Sequence, residues 1–243
     1  MPLPYGIPYQ PPVSGPTKSL AMPIILFDDF VDGWGFEGND ADNTGKFSET
    51  ANLGQWLVTV VDGGSDNGEV IACADDAVGG HLTMTTNDAD DDSLELQVNG
   101  EAWKLESGKT LAFETRLKGA DVSEFDWFVG LAITDTTVMT ACTDRVGFEC
   151  PDSTGDIDAI TEKDSSQTTT DTTKDLADAT FVTLRFEVEG TSKVRYYVDG
   201  DLVATHTTNL PDDEALTPTI CIRNDGAAAN TMTLDYILVM RDR

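Results

Sequence analysis

From about Pro23 onward the large apolar residues of this chain fall at every second position, and that spacing limits the fold more than any other feature. Leu82 and Met84 share one face of their segment, and Leu94, Leu96 and Val98 repeat the pattern in the next. Leu111, Phe113, Thr115 and Leu117 alternate with Ala112, Glu114, Arg116 and Lys118. Phe125, Trp127, Val129, Leu131 and Ile133 make a long apolar face, and Val182, Leu184, Phe186 and Val188 make another. Side chains on an extended strand point alternately to two faces, so this period predicts half-buried strands. No window of similar length carries a helical period. Asp199-Gly200 separates two such runs by two residues, the strongest short hairpin signal; Asn99-Gly100 and Asn67-Gly68 are further turns. Regular strands without intervening helices predict an all-β fold, a two-sheet antiparallel sandwich. At 243 residues the chain suits one large sandwich.

Two stretches break the pattern. The first sixteen residues hold six of the ten prolines, which remove backbone donors and fix φ. Residues 1–22 are therefore expected to form an extended Pro-rich N-terminal arm, with residues 23–243 as the sandwich. The arm is either a plain tail or a segment that lies along a partner, with Pro4, Tyr5, Ile7, Tyr9, Pro11 and Pro12 as its contacts. Residues 151–180 are rich in Thr, Ser and Asp. They suit either a loop or a polar edge hairpin, and two short strands near 156–163 and 166–173 are the favoured reading.

Charge narrows the partners. Fifteen Lys and Arg face 44 Asp and Glu, a formal net charge of −29. Such a body is repelled by nucleic acid and by anionic membrane, and suits either a saline medium or a basic partner surface. No apolar run approaches the roughly 18 residues of a membrane helix. The opening residues lack a basic segment followed by an apolar one, so no secretory signal is expected there. Cys73, Cys142, Cys150 and Cys221 form no Cys-x-x-Cys pair. Zinc is not expected, and they read as small core residues, with Cys142–Cys150 the one local bridge to test.

Residues 181–206, FVTLRFEVEGTSKVRYYVDGDLVATH, and 216–242 carry a long strand, a Tyr-x-Val-Asp-Gly hairpin at Tyr196–Gly200, and a last strand Leu-Asp-Tyr-x-x-Val at Leu234–Val239. This pattern resembles the C-terminal half of concanavalin A-like (laminin G-like) jelly rolls, particularly those among the virion structural proteins of tailed bacteriophages. LAFETRLKG at 111–119, FVGLAI at 128–133 and FDDF at 27–30 resemble earlier strands of the same family. The resemblance implies a jelly-roll sandwich and a capsid decoration (cement) protein on the virion exterior, held in part by the arm. Its partners would be the major capsid protein and neighbouring copies of itself, as a homo-oligomer, with trimers by analogy.

The chemistry in the sequence is sparse. Retaining glucanases on this fold carry Glu-x-Asp-x-(x)-Glu on one strand, because period-two spacing aims three carboxylates at one face. Here Glu124 and Asp126 are followed by Phe128 and Val129 where the third carboxylate belongs. No nucleophile elbow accompanies His81 or His206, and Gly79-Gly80 lacks the residues of a phosphate loop. The expectation is therefore a protein that binds rather than catalyses. The alternative to capsid decoration is a lectin-like surface module, with Trp34 and Trp103 stacking on surface glycans. No cofactor is expected; calcium is carried only as a candidate, with weak oxygen sets at Asp40, Asp42, Asp62, Asp66 and Asp90.

Overall fold

The computed structural model describes residues 23–31, 46–47, 51–61, 68–74 and 78–243. The arm with Pro4, Tyr5, Ile7, Tyr9, Pro11 and Pro12 lies outside them, as do Trp34, Asp40, Asp42, Asp62 and Asp66. The described residues form seventeen strands and no helix.

These strands are β1 Ile24–Asp28, β2 Lys46–Phe47, β3 Ala51–Leu53, β4 Trp56–Val61, β5 Glu69–Cys73 and β6 Leu82–Thr85. They continue as β7 Ser93–Val98, β8 Thr110–Gly119, β9 Phe125–Ala132, β10 Arg145–Cys150, β11 Asp156–Lys163 and β12 Ser166–Asp175. The last five are β13 Val182–Glu189, β14 Lys193–Val198, β15 Asp201–His206, β16 Thr217–Asn224 and β17 Thr231–Arg241. One sheet runs β15-β14-β13-β8-β17-β6-β5-β2, with β1 also paired to β17. The other, of eight strands, runs β12-β11-β10-β9-β16-β7-β4-β3. Their pairings are antiparallel, as the alternation predicts.

Alternation decides which side chains fill the space between the sheets. Phe113, Phe186 and Tyr196 from the first sheet meet Trp127, Val129 and Phe148 from the second, all fully buried. Phe113 and Phe186 stack with ring centroids 5.1 Å apart, and Phe148 meets Tyr196 edge-on at 5.3 Å. Two polar groups tie the layers through this core. The Tyr196 hydroxyl donates to the Ile160 carbonyl at 2.6 Å, and the Trp56 indole donates to Asp28 at 3.2 Å. Burying such groups is tolerable because each finds a partner.

Local chemistry sets the turns. Asp199 and Gly200 both have positive φ, 49° and 85°, the mirror-image turn whose twist matches two antiparallel strands. The polar stretch forms the favoured hairpin: β11 and β12 meet through Asp164 and Ser165, also at positive φ. Cys142, Cys150 and Cys221 are buried and Cys73 partly so; all four are free thiols, so the Cys142–Cys150 bridge is absent. The strands of the sandwich run from β1 to β17.

Candidate functional site on the eight-stranded sheet

A strand at a sandwich surface buries its inner face and leaves the other wet. β9 and β10 depart from that rule, because every residue of both is buried. The segment Thr134–Asp144 between them folds back across the outer face of their own sheet. Val138 sinks into an outer apolar cluster with Phe128, Ala132, Cys142, Ile160 and Cys221. The Val138 amide donates to Glu95 Oε1 at 2.9 Å, and its carbonyl accepts from Arg145 at 3.3 Å. The Asp135 amide donates to the Gln97 side chain at 3.1 Å, and the Ile133 amide closes the neck onto the Asp144 carbonyl.

The same face also carries charged side chains. Strand register places Glu95, Cys221, Phe128, Glu149, Asp158 and Asp171 in one row across β7, β16, β9, β10, β11 and β12. Glu149 pairs with Arg145 at 3.0 Å, and Arg145 with Glu162 at 2.7 Å. Burial pushes the Glu149 carboxyl up to about 7 against the pull of Arg145. Burial likewise pushes Glu95 up to about 7, against the Val138 hydrogen bond. Asp126, raised by burial as well, accepts from the Ser153 amide and hydroxyl and from Arg223 at 3.2 Å.

Between this loop and β4, β7 and β16 the face opens into a trough of about 210 Å³. Glu95, Ser93, Cys221, Arg223 and Met139 line it together with Thr136 and Thr140. Glu95 Oε2 is buried without a hydrogen-bond partner. A second hollow of about 380 Å³ lies on the other sheet, over Glu114, Arg185, Glu187 and Tyr197. Its polar groups already satisfy one another: Tyr236 donates to Glu114, Tyr197 donates to Glu187, and Arg185 pairs with Glu187. The trough is the better candidate because it alone of the two has an unsatisfied acid.

The expected site residues fare unevenly. Trp103 is a correction: it is 5% exposed, because backbone bonds with Leu216 draw it into the core, so it offers no stacking platform. Trp56 and Trp127 are fully buried too. Glu124 precedes β9 on the surface, while Phe128 lies beneath Val138 and stands where a third carboxylate would be. Asp90 sits in an exposed turn, and among the described residues no three His, Cys, Asp or Glu side chains gather as a metal site. His206 is held by hydroxyls of Thr161 and Thr170, and burial lowers its pKa. No helix of the described residues is long and apolar enough to cross a membrane. Sequence reasoning missed Glu95 and Glu149, because Glu in an alternating strand reads as a solvated outward residue.

Residues 78–235, more than half of the chain, match a family described as the SO2946-like C-terminal domain. The chain belongs to this family. The protein SO2946 of Shewanella oneidensis MR-1, itself of unknown function, is similar over 93% of this chain and 90% of its own, with 15% identity and a TM-score of 0.58. An endo-1,3-β-glucanase from Streptomyces sioyaensis is similar over 94% and 99%, with 15% identity and a TM-score of 0.59. A GH16 protein of Bacteroides ovatus, solved with a glucan product, is similar over 87% and 98%, with 11% identity and a TM-score of 0.59. No curated protein matches the sequence. These likenesses establish the concanavalin A-like jelly roll. They also correct the expectation of a protein without catalysis, since glucanases are built on this same sandwich. A bacteriophage form of the fold and a virion location find no support among them.

Proposed function

We propose that the SO2946-like sandwich recognises carbohydrate on the outer face of its eight-stranded sheet. The observation that carries this reading is the loop-bordered trough, with Glu95 in its wall and one carboxyl oxygen unsatisfied. Sugar hydroxyls both donate and accept, and so suit a lining that mixes Ser93, Thr136 and Thr140 with Val61 and Met139. Similarity to glucan-processing proteins on the same fold supports the ligand class. Glu95 and Glu149 both hold protons near neutrality, as a general acid must. They cannot act as one hydrolytic pair in this arrangement. Three strand spacings separate them, about 14 Å, against roughly 5–9.5 Å in glycosidases.

The test is a glycan array with the full chain, followed by calorimetry on each hit and by an assay for reducing ends released from β-glucans. Saturable binding to an oligosaccharide supports the reading, and released reducing ends would make the site hydrolytic. Silence across the array and the assay overturns it.

A second reading, assembly onto a larger particle, is favoured by one observation. Ile25 and Phe27 of β1 are 52% and 53% exposed, directly after the Pro-rich arm. Apolar side chains at that place suit a partner surface reached by the arm, such as a capsid subunit or a neighbouring copy. Co-sedimentation with undecorated capsid shells, lost on deleting residues 1–22, would support it; no sedimentation of the full chain would end it.

A further inference from the structure

The nine-stranded sheet turns a second large face outward, on the side of the sandwich opposite the trough. Its charge differs from that of the rest of the molecule. The whole chain carries 44 acids against 15 cations. At the outward positions of β8, β13, β14 and β17 that balance reverses. Arg116, Lys118, Arg185, Lys193 and Arg195 stand there against Glu114, Glu187, Glu189 and Asp235. Exposed apolar side chains border the same positions, Ile25 and Phe27 on one side and Leu202 on the other, at 52%, 53% and 58%. Two molecules of net charge −29 repel each other over most of their surfaces. A face whose own charges balance is where they can meet.

Strand register orders that face into rows. One row runs Phe27, Leu238, Glu114, Arg185, Tyr197 and Leu202 across β1, β17, β8, β13, β14 and β15. From either end it passes from apolar groups to a charge, and the two central charges are opposite. Such a row is complementary to itself. A twofold axis along the strands, between β8 and β13, lays Glu114 over the partner's Arg185. The same axis lays Leu238 over the partner's Tyr197 and Phe27 over the partner's Leu202. An axis along the row would instead set Glu114 against Glu114 and Arg185 against Arg185, which is costly. The neighbouring row, Ile25, Met240, Ala112, Glu187, Arg195 and Thr205, opposes no like charges under the first axis. Six strands at about 4.8 Å make this face about 24 Å wide, and the β8–β13 ladder makes it about 26 Å long. That footprint of about 600 Å², before side-chain relief, approaches the roughly 800 Å² per partner of a standard interface.

We propose that the chain forms a twofold homodimer through the outer face of its nine-stranded sheet, with Glu114 and Arg185 reciprocally paired at the axis. This interface rests on the assembly reading above, and gives the Ile25 and Phe27 surface one occupant, a second copy. The trough of the carbohydrate reading stays open on the opposite side of such a dimer. Within one chain Glu114 accepts from Tyr236 and Arg185 pairs with Glu187, so the partner meets charges that are already oriented.

The experiment is sedimentation velocity on the full chain over a range of concentrations. It is run at about 0.5 M salt, where a screening length of about 4 Å lifts most of the repulsion between the bodies. The expected result is a monomer–dimer equilibrium. Phe27→Asp and Leu202→Glu, both at exposed positions, should each weaken it about tenfold or more. Glu114→Arg and Arg185→Glu should each abolish self-association, because each sets like charges across the axis. Mixed in equal amounts, these two variants should dimerise with each other, since both crossings then join opposite charges. That result separates the interface from any role of the two residues within one chain. A mixture that stays monomeric, with both variants folded, would overturn the paired axis. A full chain that stays monomeric up to about 0.5 mM would overturn the dimer. If that monomer still co-sedimented with shells, the assembly reading would stand without it. A dimer indifferent to Phe27→Asp and Leu202→Glu, or one lost on deleting residues 1–22, would put the contact elsewhere and overturn the face. A chain that dimerises only without residues 1–22 would make its own arm the occupant, and would equally overturn it.

Discussion

Glu95 and Glu149 have the same chemistry as the many acids on the surface, and only burial sets them apart. Each ionises near pH 7 in the fold, against about 4.3 in an unfolded chain. Between those values the folded state holds the extra protons. Their stabilisation is therefore complete below about pH 4 and lost as pH rises through 7, by roughly 3 kcal/mol for each group. Denaturant midpoints of the wild type should fall between pH 5 and pH 8, and Glu95→Gln should flatten that slope. Parallel curves for the two proteins would show that Glu95 is not buried as described. In the run Ser93-Leu-Glu-Leu-Gln-Val98 nothing distinguishes Glu95 from Gln97. The loop that covers it begins some forty residues later, so local reading had no access to its state.

At the scale of elements, the hairpins were legible because turn chemistry is local. Asp199-Gly200 and the β11–β12 pair both fall where short-range preferences place them. The outer face of β9 and β10 was not legible, because its cover comes from tertiary folding of the segment that joins them. Two glycines show the difference. Gly200 has φ of 85° and open space around it, so Gly200→Ala should cost only the left-handed strain of about 1 kcal/mol. Gly130 and Gly147 face each other across the β9–β10 ladder. A Cβ on Gly130 would lie 2.2 Å from the Val146 carbonyl oxygen, and one on Gly147 would lie 2.3 Å from that of Val129. Backbone cannot step aside as a side chain can. Gly130→Ala should therefore cost clearly more than Gly200→Ala, by about 2 kcal/mol or greater, in chemical unfolding of the two variants.

For the whole molecule the governing quantity is charge. A formal net charge of −29 on 243 residues stores repulsion that the compact state concentrates. Raising salt from about 20 mM to about 0.5 M shortens the screening length from roughly 20 Å to about 4 Å. The melting temperature should rise by a few degrees, about 1–2 kcal/mol of relief, in differential scanning calorimetry. A flat or falling melting temperature would mean that the ion pairs, such as Lys163 with Asp212 and Arg116 with Asp235, outweigh the repulsion. The same field opposes anionic ligands.

The sequence by itself determined the class of fold, the strands, the hairpins and the inner core. All of these follow from a two-residue period and from turn residues that act on their neighbours. It also showed that the strand carrying Asp126 lacks a third carboxylate, with Phe128 in its place. Only the tertiary structure decided that Trp103 is core rather than platform and that a loop lies across one sheet. Only there is Glu95 buried, with one carboxyl oxygen lacking a hydrogen-bond partner. Those facts depend on which distant segments come together, and burial, unlike strand period, is a property of that meeting.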